Sequence, residues 1–415
     1  MNVNDIKPEV YELAHQAEAE IRPQFERIDR IAMVNTRKVM TAFQDNRVSD
    51  SCFAGTSGYG YDDVGREVLD KVYAQVFCTE AALVRIGFVN GTHALSAALF
   101  AMLKPGDTLL SVTGIPYDTL RNAIGIEGEC HGSLKFYGIN YKQVDLKNGE
   151  PDIEAIKAAL SDKSVTAVLI QRSRGYENRK AFSAEEIGDI CKAVKSVAPN
   201  VTVMVDNCYG EFTGEHEPTE FGVDLMAGSL IKNPGGGLAP TGGYIVGRKD
   251  LVENAAMRLT TPGIGGECGA TLGNNRLLFQ GFFMAPHIVA QAIKTMTFCS
   301  AMMKKIGFES SPSPEEHRND IIQMVTLKNA ENMKKFCRGI QAGAPVDSYV
   351  TPEPWQMPGY NVPVIMAAGA FVQGSSIELS SDGPMREPYT LYVQGGITYE
   401  SGKLGIMMAV NEMLS

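Results

Sequence analysis

The sequence predicts an α/β chain with a large domain, built on a mostly parallel sheet covered by helices, and a smaller α+β C-terminal domain. Three observations carry this. Between Leu83 and Arg248 short apolar runs alternate with segments of helical spacing, and strand–helix–strand alternation calls for parallel strands covered on both faces. The chain has 415 residues, and at about 150 residues per domain this allows two or three domains, with a cleft between lobes. Beyond Thr261 a glycine-rich link, Gly263-Ile-Gly-Gly-Glu-Cys-Gly269, leads into a different pattern of long helices and short strands. The expected division is an N-terminal helical arm over 1–60, the large domain over 61–262 and the small domain over 263–415.

Taken in order, Pro8 precedes an apolar spacing through Val10, Leu13 and Ala17, and a second helical run covers Ile28 to Phe43, which together suit an arm or clasp. A loop rich in glycine and tyrosine follows from Phe53, and Arg66 to Val76 reads as a helix. Strands are predicted at Thr108–Val112, Val165–Gln171, Val201–Asp206, Leu225–Leu230 and Tyr244–Val246, with helices at His93–Leu103, Ile153–Leu160 and Ala184–Val197. In the last third, helical patterns lie near Leu277–Met303 and Glu315–Gly339. Strand-like segments at Val364–Phe371 and Thr390–Tyr392 and a helix from Lys403 to Met413 close the chain.

Composition narrows the function. With 44% hydrophobic and 21% charged residues the chain reads as an ordinary globular protein. Its 48 acidic and 38 basic residues give a formal charge of −10, with the signs mixed along the chain, so nucleic acid is excluded as a partner. The apolar stretches fall short of the roughly 18 residues of a membrane span, and the N-terminus is polar, so a cytoplasmic protein without a membrane partner is expected. Eight cysteines without a CxxC pair read as reduced core residues, and six histidines without HExxH or HxH give no metal site.

In an open α/β sheet ligands bind beyond the carboxyl ends of the strands, and three such ends stand out. In Val89-Asn-Gly-Thr-His-Ala-Leu95, Gly91 and Thr92 fall at a helix start, where free N–H groups and the helix dipole favour a phosphate, or where Thr92 is a plain N-cap. Asp206 ends the apolar run from Val201, and a carboxylate there costs several kcal/mol unless a cation or strong donor meets it; the alternative is a turn aspartate. Lys232 ends the next run and meets Gly235, Gly236 and Gly237. Partial desolvation would lower its pKa and make it an amine nucleophile, while the glycines would let a planar ring approach; the alternative is an ordinary ion-paired lysine.

Phosphate-binding turn, strand-end aspartate and a lysine twenty-six residues later resemble, in that order, the fold type I pyridoxal-phosphate (PLP) enzymes. Further stretches are similar to the Cys/Met-metabolism branch, and within it to the methionine γ-lyase-like aluminium-resistance proteins. They are Gly58-Tyr-Gly-Tyr-Asp-Asp-Val-Gly-Arg66, Val89–Ser96, Gly114-Ile-Pro-Tyr117-Asp-Thr119, Val205-Asp-Asn-Cys-Tyr-Gly-Glu211, Gly228–Gly243 and Tyr392-Val-Gln-Gly-Gly-Ile-Thr-Tyr399. The resemblance implies a PLP-dependent transferase-like fold and a carbon–sulfur lyase acting on cystathionine, methionine or cysteine by α,β- or α,γ-elimination. It implies that Lys232 binds the aldehyde, Asp206 keeps the pyridine nitrogen protonated and Tyr117 stacks on the ring. Gly91 and Thr92 would cradle the phosphate, Ser229 would add a contact to it, and His93 would be among the cofactor-binding residues. Tyr59 or Tyr61 would reach a neighbouring subunit's cofactor, implying a homodimer with shared sites and a homotetramer.

Two departures bear on the substrate. Where the better-known lyases carry an arginine for the substrate carboxylate, near Tyr392-Val-Gln-Gly395, this chain has tyrosine, so Arg386, Arg172 and Arg174 are the replacements to weigh. The loop Gln171–Tyr176 also lacks their Asn-Pro turn. A Rossmann dehydrogenase is set aside because the glycines follow a lysine, and a P-loop because Gly402-Lys403 is followed by leucine. The alternatives are a PLP-dependent aminotransferase, and a non-catalytic PLP-binding regulatory protein.

Overall fold

Aliphatic and β-branched runs such as Val165–Gln171 form strands because branched side chains pack well on a pleated, covered surface. The structure, a computed structural model, describes residues 2–128, 130–356 and 362–415. In chain order its elements are α1 (Pro8–Asp45), α2 (Val64–Val76), β1 (Ala81–Arg85), α3 (Gly91–Met102), β2 (Thr108–Ser111), α4 (Asp118–Ile124), β3 (Asn140–Gln143), α5 (Ile153–Ala159), β4 (Val165–Gln171), α6 (Ala184–Val197), β5 (Thr202–Asp206), β6 (Leu225–Ser229), β7 (Gly243–Gly247), α7 (Lys249–Leu259), α8 (Asn275–Lys305), β8 (Glu309–Ser311), β9 (Ile322–Thr326), α9 (Ala330–Ala342), β10 (Val364–Ala368), β11 (Ser380–Pro384), β12 (Thr390–Gln394) and α10 (Tyr399–Met413). They fall into two compact units, Arg37–Phe283 and the residues up to Thr36 together with Met284–Ser415.

In the Arg37–Phe283 unit seven strands form one sheet in the order β1-β7-β6-β5-β4-β2-β3. Neighbours pair in parallel except at β7, which is antiparallel to β1 and to β6. Every residue of β6 and all but the first of β5 are buried, as expected of strands covered on both faces. Register sets Gln171 beside Asp206, and Asp206 beside Ala227. The ends of β4, β5 and β6 therefore share one sheet edge, and Lys232 follows β6 by three residues.

The other unit holds a five-stranded antiparallel sheet, β10-β11-β12-β9-β8. Its core joins Val10, Ala14, Ala17 and Ile21 of α1 to Met296 and Cys299 of α8, Phe336 of α9 and Ile406 of α10. The apolar spacing read near the N-terminus is the stripe that this core buries.

Three expectations differ from the structure. The two N-terminal helical runs are one helix of 38 residues that continues through Pro23. Glu315–Gly339 is not one helix: it contains β9, held between β12 and β8, and then most of α9. The apolar, partly β-branched Ile321-Ile-Gln-Met-Val-Thr326 pairs with two strands, and α9 starts only where Asn329 caps it by accepting the Asn332 N–H at 2.8 Å. Strands β1, β3, β8 and β11 have no counterpart in the reading; Asn-Tyr-Lys-Gln, Glu-Ser-Ser and Ser-Ser-Asp-Gly-Pro lack an apolar signal, and the short apolar run of β1 is not among the predicted strands. Among the described residues no helix is long and apolar enough to cross a membrane. All eight cysteines are unbridged, and six of them are buried.

Candidate active site

The predicted phosphate turn is the first turn of α3. Asn90, not Thr92, caps it, its Oδ1 accepting the His93 N–H at 2.9 Å. This leaves the Thr92 hydroxyl to the Thr119 hydroxyl, 2.7 Å away. A Cβ at Gly91 would stand 3.0 Å from the Ser229 Cβ and 3.5 Å from the Cys208 Sγ, so glycine lets the helix start meet the end of β6. His93 serves its own turn: its Nδ1 accepts the Val89 N–H at 3.2 Å, and burial lowers its pKa.

Asp206 closes β5 with 6% of its surface exposed, and its Oδ1 accepts the Cys208 N–H at 3.1 Å. Burial raises its pKa, against the opposing pull of Lys232. The Lys232 Nζ lies 3.9 Å from the centroid of the Tyr209 ring. Burial acts to lower the Lys232 pKa, as expected, but the acidic groups of Cys208, Tyr209, Tyr117 and Asp206 outweigh it and the net shift is upward. The expected lowering is thus reversed by neighbours that only the fold assembles. Tyr117 precedes α4 and packs its ring 5.8 Å from that of Tyr176.

Gly235 has a different role from the one expected. Its Cβ would lie 1.8 Å from the Leu230 carbonyl oxygen, and a Cβ at Gly281 of α8 would lie 2.2 Å from the Gly235 carbonyl oxygen. Its lack of a side chain closes the turn after β6 against that helix, rather than admitting a ring.

The arginines separate. Arg172 is 1% exposed and committed to structure, with Nη1 donating to Asn207 Oδ1 at 2.8 Å and to Glu217 at 3.0 Å, and Nη2 donating to Thr213. It is therefore corrected from a substrate-binding residue to a buried structural one. Arg174 is also fully buried. Arg386 lies exposed on the turn between β11 and β12, in the other unit.

Tyr59 and Tyr61 are 70% and 55% exposed, their rings stacked with centroids 5.6 Å apart. The loop that carries them is pinned by a residue the sequence reading quoted without a role. Asp63 caps α2 through the Arg66 N–H at 2.9 Å and accepts from Thr56 Oγ1 and Thr271 Oγ1, each at 2.5 Å, and from Asn275 Nδ2 at 3.0 Å. The Tyr59 carbonyl accepts the Gly269 N–H at 2.9 Å. Glu211, also unassigned from sequence, is fully buried behind β6, where its Oε1 accepts the Tyr244 hydroxyl at 2.7 Å. The available signal for both was an acidic residue inside a glycine-rich or apolar stretch.

Comparison with known proteins finds relatives over nearly the whole chain. The carbon-sulfur lyase involved in aluminium resistance from Clostridium novyi NT has a solved structure that superposes with a TM-score of 0.94 at 52% identity, covering 98% of this chain and 96% of that one. The uncharacterized protein YnbB of Bacillus subtilis (strain 168) is 49% identical over 403 residues, 97% of this chain and 96% of its own length. The pyridoxal-5'-phosphate dependent protein YhfS of Escherichia coli shares the fold, with a TM-score of 0.62 at 18% identity over 92% of this chain and 95% of that one. The fold is thus that of the fold type I PLP-dependent enzymes. With the methionine gamma-lyase family model matching residues 10–414, the chain belongs to the methionine gamma-lyase family.

Proposed function

We propose that this member of a lyase family is a PLP-dependent carbon–sulfur lyase that takes a sulfur-containing amino acid of the cystathionine, methionine or cysteine type. The observation that carries the reading is the meeting, at one sheet edge, of Lys232, the buried carboxyl of Asp206 and the contact of Gly91 with Ser229. These groups fit the cofactor. The first turn of α3 with Thr92 and Ser229 suits a phosphate, since its N–H groups lie at the positive end of the helix dipole. Asp206 suits a basic ring nitrogen, Lys232 an aldehyde and Tyr117 a ring face.

When bound, PLP supplies a carbonyl for the substrate amine and a ring that accepts the electron pair left at the α-carbon. The Lys232 amine would take the Cα proton, and Asp206 would hold a proton at the ring nitrogen. A sulfur substituent leaves as a thiolate. Loss from the β-carbon, followed by hydrolysis with one water, leads to pyruvate and ammonia; loss from the γ-carbon needs further proton transfers, for which Lys232 and Tyr117 are the proposed groups. Arg174 and Arg386 are the proposed binders of the substrate carboxylate. The exposed Tyr59–Tyr61 pair on its pinned loop supports a homodimer in which these rings complete the neighbour's site; a tetramer of such dimers is proposed with it.

The test is incubation of the PLP-loaded protein with L-cysteine, cystathionine and methionine, followed by assays for pyruvate, 2-oxobutyrate and thiol. Stoichiometric thiol and keto acid support the lyase. Accumulation of the pyridoxamine form without thiol release makes it an aminotransferase, and no reaction with any of the three amino acids counts for the non-catalytic binding protein.

A further inference from the structure

One buried carboxyl at this edge takes no part in the chemistry above. Glu211, five residues beyond Asp206, is fully enclosed, and its Oε2 has no hydrogen-bond partner among the described residues. Its Oε1 accepts from the Tyr244 hydroxyl at 2.7 Å, and Asn207 Nδ2 donates to that same hydroxyl oxygen at 3.4 Å. The Glu211 backbone carbonyl separately accepts Asn233 Nδ2 at 3.0 Å. The carboxyl's own network thus runs through Tyr244 to Asn207, the residue after Asp206. Gly228 of β6 makes the space, since a Cβ there would stand 2.6 Å from the Glu211 Oε1.

An ionised carboxylate in that position would keep one fully buried oxygen without a donor among the described residues, whereas the protonated acid carries no charge to solvate. The groups that face it are Tyr244 from β7, Tyr73 from α2, Cys208 and Glu217 from the segment after β5, and Lys232 from beyond β6. Glu217 opposes a second negative charge and Lys232 favours one. Burial dominates and pushes the Glu211 carboxyl up to about 8.

We propose that Glu211 is a positioning residue that works as a neutral carboxylic acid behind the cofactor cradle, holding through the Tyr244 hydroxyl the Asn207 turn that presents Asp206, and that losing its proton loosens that turn. The consequence for the cofactor rests on the PLP-lyase reading; the protonation state does not.

The experiment is an alkaline titration of the full-length, PLP-loaded protein, followed by infrared difference spectroscopy, by cofactor absorbance and by thermal unfolding. The wild type is expected to lose the carbonyl band of a protonated carboxylic acid with a midpoint near 8. Because the folded-state value lies above the ordinary 4.5, stability should fall as pH rises from about 4.5 to about 8, and the cofactor spectrum should change over the upper part of that range. Glu211→Gln, neutral throughout, should lack the band and both pH-dependent steps. Tyr244→Phe removes the hydroxyl that favours the carboxylate and should move the midpoint upward, which keeps the test open if the glutamine variant does not fold. Identical titrations of wild type and Glu211→Gln, or an unmoved midpoint in Tyr244→Phe, would overturn the proposal. The infrared band is read without turnover, so a protein inactive toward every sulfur amino acid still decides it.

Discussion

The Lys232 Nζ stands 3.9 Å from the centre of the Tyr209 ring, and Tyr209 holds that position with φ +72°, a left-handed conformation unusual outside glycine. A non-glycine residue there stores strain of order 1–3 kcal/mol, which persists only when the surroundings fix it. The ring face attracts the ammonium and positions it beside Asp206.

Removing the lysine should separate binding from chemistry. Borohydride treatment of the PLP-loaded wild type should bleach it and attach the cofactor to the peptide containing Lys232. In Lys232→Ala that attachment should vanish, and turnover should fall by about 10²–10⁴-fold. Cofactor fixed elsewhere by borohydride in the alanine variant would refute the role of Lys232.

Asp206→Asn should keep the fold, since the amide oxygen can still accept the Cys208 N–H. If Asp206 serves the proposed ring nitrogen, loss of its charge should lower turnover by about 10²–10³-fold, or ~2.7–4 kcal/mol. Wild-type rates would make Asp206 a turn residue only, and steady-state kinetics decides between the two.

Arg172 and Arg386 should fail in different ways. Replacing Arg172 by Met leaves Glu217 buried without its cation and should cost about 3–5 kcal/mol in urea unfolding. Arg386→Met, at an exposed turn, should change stability by less than about 0.5 kcal/mol, so a rise in its KM would report lost binding of the substrate carboxylate. Unchanged kinetics in Arg386→Met would leave that role to Arg174.

For Asp63, burial acts to raise the pKa, but the donors Thr271, Thr56, the Arg66 N–H and Asn275 outweigh it and hold the carboxyl below its ordinary value of 3.8. Its contribution to stability is therefore full above about 3.8 and is lost as pH falls through the lower folded-state value. Asp63→Asn, which can still cap α2, should lower stability at neutral pH by about 1–3 kcal/mol through its weakened hydrogen bonds. The same variant should unfold with a shallower acid dependence, measured by thermal melts from pH 2 upward. An unchanged acid limb would mean that the charge of Asp63 is not what pins the tyrosine loop.

Shared sites can be tested by complementation between a Tyr59→Phe, Tyr61→Phe double variant and Lys232→Ala. A mixed dimer gathers both lesions in one site and leaves the other intact. Subunit exchange should therefore restore activity, up to about half of the wild-type rate per mixed dimer if sites act independently. Mixed dimers as inactive as their parents, or a fully active tyrosine variant, would exclude a shared site.

The sequence by itself determined the strand-and-helix alternation and the order of Gly91, Asp206 and Lys232, and it marked the residues that border a candidate site only through their place after apolar runs. This much was legible because β4, β5 and β6 are buried along nearly their whole length, so hydrophobicity marks both the strand and its end. The polar strands β3 and β11 carry no such mark, and β9 looked helical until its partners β12 and β8 were known. What only the tertiary structure decided depends on contacts between residues far apart in the chain. It committed Arg172 to Glu217, turned the Lys232 pKa upward through Tyr117 and neighbours in Asp206–Tyr209, and set Glu211 behind β6 with Tyr244. Charge and burial are sums over surrounding groups, and the linear chain does not state which groups those are.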